Sequence, residues 1–241
     1  MSFLSGVSSF IHVAFGAAGL IAFWVPVFAK KGAVNHVRFG KIFVWSAYVV
    51  LASAGISLTV RALNMWRLGI GVAEEPRAIA FMVFLGYLTF VTFVIVRHGM
   101  QVLQSKRKPA GIRTPLSLFL AYASIASSVG VIAYGILLDP PNKILLYALS
   151  PIGFLNGFGQ LRYMNRSDAS PRTWLYEHLG AMLGAGIAFH TAFAVFGSSQ
   201  LFDFGLSGWA AVIPWVAPTI IGIPAITIWT RHYQRKYREI A

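Results

Sequence analysis

AIAFMVFLGYLTFVTFVIV, residues 78–96, decides the fold. The stretch carries no charged side chain, and its length is close to the roughly 20 residues that an α-helix needs to cross a hydrocarbon layer. Inside lipid every backbone N–H and C=O must be satisfied within the protein, which leaves helices and closed barrels. The run is helix-length and does not alternate, so a membrane-spanning helix is expected. Six more uncharged or nearly uncharged runs follow the same logic on either side: Ser9 to Ala29, Ile42 to Val60, Pro115 to Leu138, Ile144 to Leu161, Trp174 to Gly197 and Leu206 to Thr230. The expected fold is therefore all-α, a polytopic bundle of seven transmembrane helices forming one domain over residues 1–241.

Composition agrees. Of 241 residues, 57% are hydrophobic and 11% charged, with a mean hydropathy of +0.67, more apolar surface than a water-soluble core can hide. The formal charge of +13 would suit nucleic acid, but the basic residues gather at span ends and not on a face interleaved with aromatics, so no nucleic-acid partner is expected. Cysteine is absent, which excludes thiolate nucleophiles, redox pairs and iron–sulfur ligation. Lys30 is the first charged side chain, so Ser9 to Ala29 reads as a retained first span and not a cleaved signal.

Lysine and arginine set the expected threading, because short loops rich in them stay in the cytoplasm. Sixteen lie in the segments after the first, third, fifth and seventh runs, and only Arg61, Arg67, Arg77 and Lys143 lie on the other side. The N-terminus is expected outside, the C-terminus in the cytoplasm, and the location is the cell's inner membrane. The loop Arg61 to Arg77, with Met65 and Trp66, is expected to hold a short interfacial helix.

Ionisable groups inside spans are costly and are functional candidates by default. His12 sits about one turn from the outer end of the first run, and His190 about two turns from that of the sixth. Gly16 follows His12 by four residues and Gly186 precedes His190 by four, so each glycine shares its histidine's face. Space beside an imidazole suits a flat ligand, and neutral imidazole is a common axial ligand of haem; haem b, or zinc, iron or copper, is the expected cofactor class at these four residues. Close helix packing is the competing explanation, since Gly180 and Gly184 form a GxxxG pair.

A second group gathers at the inner boundary: His36, His98, Glu177 and His178. Three imidazoles and a carboxylate match the preferences of zinc or iron, although no HxxxH or HExxH pair places two ligands on one helical face. Interfacial residues of this kind also simply meet water, headgroups or basic neighbours. Asn156 and Gln160, one turn apart, form a polar stripe that either bonds a neighbouring helix or lines a cavity. Ser46, Ser53 and Ser57, and Ser117, Ser124 and Ser128, repeat one spacing and mark close-packed faces. Pro214, Pro218 and Pro224 predict a bent or locally unwound last span.

The first hairpin, with His12, Gly16 and Gly19 followed by Lys31, Gly32, His36, Phe39, Gly40 and Lys41, resembles a family of predicted bacterial multi-span membrane proteins of unknown function. The resemblance implies a bacterial membrane protein and points to His12 and His36, without supplying an activity. Seven-span zinc hydrolases of the alkaline-ceramidase kind share the threading, but they need two histidines four residues apart on the last span, and here none precedes His232. Three functions compete: a haem- or metal-binding redox or cofactor-handling protein, a small-solute transporter or accessory subunit, and a metal-dependent lipid hydrolase. The expected partners are the lipid bilayer and either another protein or a second copy of the chain.

Overall fold

The computed structural model describes residues 2–167, 170–197, 210 and 212–240. Among them the regular structure is helical: α1 Ser2–Phe28, α2 Val34–Arg67, α3 Pro76–Gln101, α4 Pro115–Leu138, α5 Lys143–Leu149, α6 Pro151–Met164, α7 Thr173–Ala192 and α8 Ile213–Lys236. Short 3-10 turns at Val102–Gln104 and Pro109–Ile112 join α3 to α4, and a π-helical turn, Phe193–Gly197, extends α7. Seven stretches are long and apolar enough to cross a membrane, with α5 and α6 together supplying the fifth, Lys143–Met164. These are the seven read from the sequence, most with longer ends.

Two boundaries differ from expectation. α2 continues through Arg67, so Met65 and Trp66 finish a 34-residue helix and no separate interfacial helix forms there. α8 runs unbroken through Pro218 and Pro224, while Pro214 stands in its first turn, where the missing N–H costs nothing. The first residues of the predicted seventh stretch, 206–209, lie outside the described residues.

Large apolar side chains such as Phe10, Ile21, Trp45, Leu137 and Ile221 are exposed, whereas Ser117, Ser124 and Ser128 are buried. This inversion of the water-soluble pattern is compatible with a lipid surrounding. The chain divides into two compact units, Met1–Phe93 with Ser124–Phe154, and Val94–Ala123 with Leu155–Ala241.

In the first unit α1 and α2 pack as a hairpin through small polar groups. Ser8 donates to the Ser53 carbonyl at 3.0 Å, Ser8 and Ser57 hydroxyls meet at 3.0 Å, and His12 Nδ1 lies 3.0 Å from Ser53 Oγ. The turn is closed by Gly32 at φ +80, a conformation that suits glycine. Lys31 Nζ donates to the carbonyls of Pro26 and Val27 at 2.6 and 2.8 Å, and His36 Nδ1 reaches the same Pro26 carbonyl at 3.1 Å. The last four carbonyls of a helix have no intrahelical partner, so Lys31 and His36 cap α1.

The break between α5 and α6 also has a local cause. Pro151 has no N–H for the Tyr147 carbonyl, and the Ser150 hydroxyl donates to that carbonyl instead at 3.0 Å. Tyr87 of α3 then enters the gap: its hydroxyl accepts the Gly153 N–H at 2.8 Å and lies 3.1 and 2.9 Å from the Leu149 and Ser150 carbonyls. A side chain inserted into the helical ladder is a known cause of a kink.

In the second unit α3 meets α7 at close quarters. A Cβ on Gly99 would stand 2.8 Å from the Ala181 Cβ, and one on Gly184 would stand 2.7 Å from Ile95 Cδ1. The connection 102–112 folds back onto the unit, burying Val102 and Ile112 against Ala121, Tyr163 and Met164. Gln101 anchors it by donating to Ser117 Oγ at 2.9 Å.

Candidate functional site

The close approach at Gly99 brings the ends of α3 and α7 together, and this builds the polar site of the second unit. His98, one residue before Gly99, is buried, and its Nε2 lies 2.7 Å from Glu177 Oε1. His178, the next residue on α7, turns its Nδ1 to the Gly99 carbonyl at 2.8 Å. One glycine thus admits the backbone contact that sets both pairs. The bond between His98 and Glu177 is charge-assisted, stronger than a neutral one, and the α6 residue Tyr163 stacks its ring edge-on against the imidazole at 5.7 Å and 87°.

Beside this pair is a cavity of about 150 Å³. Its polar lining is His98, Glu177, Tyr176, Asn156 and Gln160, and its apolar wall includes Ile95, Leu155 and Ala181. Gly159 and Gly180 line it as well and leave the space open. The Asn156 and Gln160 stripe is buried, and Gln160 Nε2 donates to Asn156 Oδ1 at 2.6 Å. Tyr176 is fixed from behind: its hydroxyl donates to Glu239 Oε2 at 2.6 Å. Glu239 is delivered by a helix-ending motif in which Arg238 takes φ +58, its N–H bonds the Arg235 carbonyl, and the Glu239 N–H bonds the Gln234 carbonyl. Ser170 and Arg172 also reach the Glu239 carboxylate, at 3.4 and 3.5 Å.

Of the four inner residues named from the sequence, the structure joins His98 to Glu177, seats His178 on Gly99, and gives His36 to the cap of α1. Among the described residues no group of three or more His, Cys, Asp or Glu assembles as metal ligands. His12 lies in the first unit and His190 in the second. Ser53 Oγ donates to the Val50 carbonyl at 2.8 Å and so receives the proton of His12 Nδ1. His190 folds back on its own helix, with Nδ1 2.7 Å from the carbonyl of Gly186. Gly16 faces open space: a Cβ there would meet no described atom within 4 Å.

The sequence reading missed Tyr176, Glu239, Lys31 and Gly99. Gly99 adjoins a buried histidine and Tyr176 adjoins Glu177, which is the only local signal either carries. Comparison with protein-family models, with curated proteins and with solved structures finds no match.

Proposed function

We propose that this chain is a multi-pass carrier of a small solute, threaded with its N-terminus outside and its C-terminus in the cytoplasm of a bacterial inner membrane. The observation that carries the reading is this recess: an open groove with five polar side chains, set among helices long and apolar enough to span a bilayer. Polar groups in such helices are retained where they line a pathway or bind a substrate. The threading draws on the sixteen-to-four distribution of basic residues. Proteoliposomes containing the purified chain should take up members of a panel of small radiolabelled solutes, and Asn156→Leu should collapse that uptake. A panel left entirely outside the vesicles counts against the reading.

A second reading, a haem or metal centre at His12 or, separately, at His190, is favoured by one specific feature. Each histidine commits Nδ1 to an oxygen, and in the neutral ring that places the lone pair on Nε2, the tautomer seen in ligating imidazoles. Purified protein should then show a Soret band or stoichiometric iron, copper or zinc. A colourless, metal-free and folded preparation excludes it.

A further inference from the structure

We infer that the connection 102–112 of the second unit, with Arg113 beside it, docks the headgroup of an anionic glycerophospholipid whose acyl chain lies along Leu116 and Phe119 of α4. The inference is independent of the carrier reading and of which side of the membrane this end faces.

The first argument is the distribution of charge. The second unit carries twelve lysines and arginines, five within residues 97–113, three within 162–172 and four within 231–238. Those segments are the end of α3 with the start of α4, the end of α6 with the start of α7, and the end of α8. Gln101 bonds Ser117, Trp174 packs against the cluster of Val102, Ile112 and Tyr163, and Tyr176 bonds Glu239, so the segments meet at one end of the unit. The sequence between α7 and α8 has no lysine or arginine. Among the described residues the acids of this unit are Glu177 and Glu239, and both are engaged, by His98 and by Tyr176. None of the carboxylates described pairs with Lys106, Arg107, Lys108 or Arg113. A clustered positive field without a counter-charge attracts an anion, and a phosphodiester at the membrane surface supplies one.

The second argument is that the cations are held in place before any ligand arrives. Val102, Pro109 and Ile112 are buried and pin the connection to the unit. Between them the chain bonds itself: Ser105 Oγ donates to the Lys108 carbonyl at 2.6 Å, the Gly111 N–H to the same carbonyl at 2.8 Å, and the Arg113 N–H to the Ala110 carbonyl at 3.0 Å. A connection already ordered loses little further entropy on binding.

The third argument separates a lipid from other anions. Lys106 Nζ stands 4.7 Å over the Trp174 ring, a pairing of the kind that sits at headgroup level. Directly after Arg113, Leu116 and Phe119 are 53% and 65% exposed. A phospholipid uses the cations and the apolar flank together. Free phosphate, or an acidic peptide arriving from water, would use the cations alone.

The experiment titrates the full chain in mild detergent with phosphatidylglycerol, or with phosphatidylcholine of the same acyl chains, and counts bound lipids by native mass spectrometry. Each basic residue at an anionic surface is worth about fivefold in affinity. Phosphatidylglycerol should therefore bind about tenfold or more tighter than phosphatidylcholine, and replacing Lys106, Arg107 and Lys108 together by Gln should weaken it on the order of a hundredfold. The same charge removed from α8 and its end, with Arg231, Lys236 and Arg238 replaced by Gln, should change affinity less than about fivefold. If the loop variant does not elute as a single folded species, Arg113→Gln decides by a loss of about fivefold. Equal affinity for the two lipids overturns the inference, as does an α8 variant that loses as much as the loop variant, which would mean a diffuse attraction without a site. Displacement of phosphatidylglycerol by glycerol phosphate or by polyglutamate at equal charge concentration also overturns it, since either result assigns the cations to a water-borne anion.

Discussion

The hydroxyl of Tyr87 and the amide of Gly153 are 2.8 Å apart, and the contact sits where an unbroken helix would have used the Leu149 carbonyl. A side chain from α3 thus completes the backbone bonding of the α5–α6 junction. Tyr87→Phe removes both an acceptor and a donor from a buried place and leaves the Gly153 N–H unmatched. The expected cost is about 1–3 kcal/mol, read as a lower midpoint of thermal unfolding in detergent. An unchanged midpoint means the backbone finds another partner there.

Gly99 and Gly86 lie on the same helix and should respond oppositely to alanine. At Gly99 the new methyl would press on the Ala181 Cβ, which has no rotamer with which to retreat, so α3 and α7 must separate. The expected loss is about 1–3 kcal/mol, the usual range for overpacking. At Gly86 a Cβ meets nothing described within 4 Å, and alanine should gain up to about 1 kcal/mol from helix propensity. Paired melting curves of the two variants check both signs.

What could be read from the sequence follows from what each contact needs. The spans were legible because crossing lipid depends only on length and apolarity, properties local to each run. The buried serine faces were legible for a similar reason, since helical spacing alone places Ser124 and Ser128 together. The pairing of His98 with Glu177 joins residues 79 positions apart and depends on how closely α3 approaches α7, which no local pattern encodes. His36 shows the reverse failure: its residue type suggested a metal ligand, but five positions after Lys31 it caps α1, a backbone role that any donor of the right reach can fill.

Lys31 should matter out of proportion to its place in a loop. Lys31→Ala frees two carbonyls at the end of α1 and should cost about 1–3 kcal/mol, with the first hairpin opening before the rest in hydrogen exchange. Burial pushes the Lys31 ammonium below its ordinary value of 10.5. Between that lowered value and 10.5 the unfolded chain binds more protons than the folded one, so stability rises with pH across the window. Lys31→Met should flatten that rise in unfolding curves collected through the alkaline range.

Glu239→Ala should loosen Tyr176 without touching the cavity directly. The Tyr176 oxygen then loses the partner that orients it, and Arg172 and Ser170 lose theirs. We expect the midpoint of thermal unfolding in detergent to fall by the equivalent of about 1–3 kcal/mol, with faster amide exchange around Tyr176 and Arg238. An unchanged midpoint and unchanged exchange around Tyr176 would show that it needs no such anchor.

At 34 residues α2 is about 50 Å long, some 20 Å more than the hydrocarbon layer is deep. Nearly four turns must lean over or stand clear of the acyl chains. Its far end carries Arg61 and Arg67 with an exposed Trp66, side chains at home among headgroups. Bilayer thickness therefore acts on this protein as a mechanical load: short-chain lipids tip the long rod and its hairpin partner, long-chain lipids draw it upright, and the lipid chosen for reconstitution sets its angle.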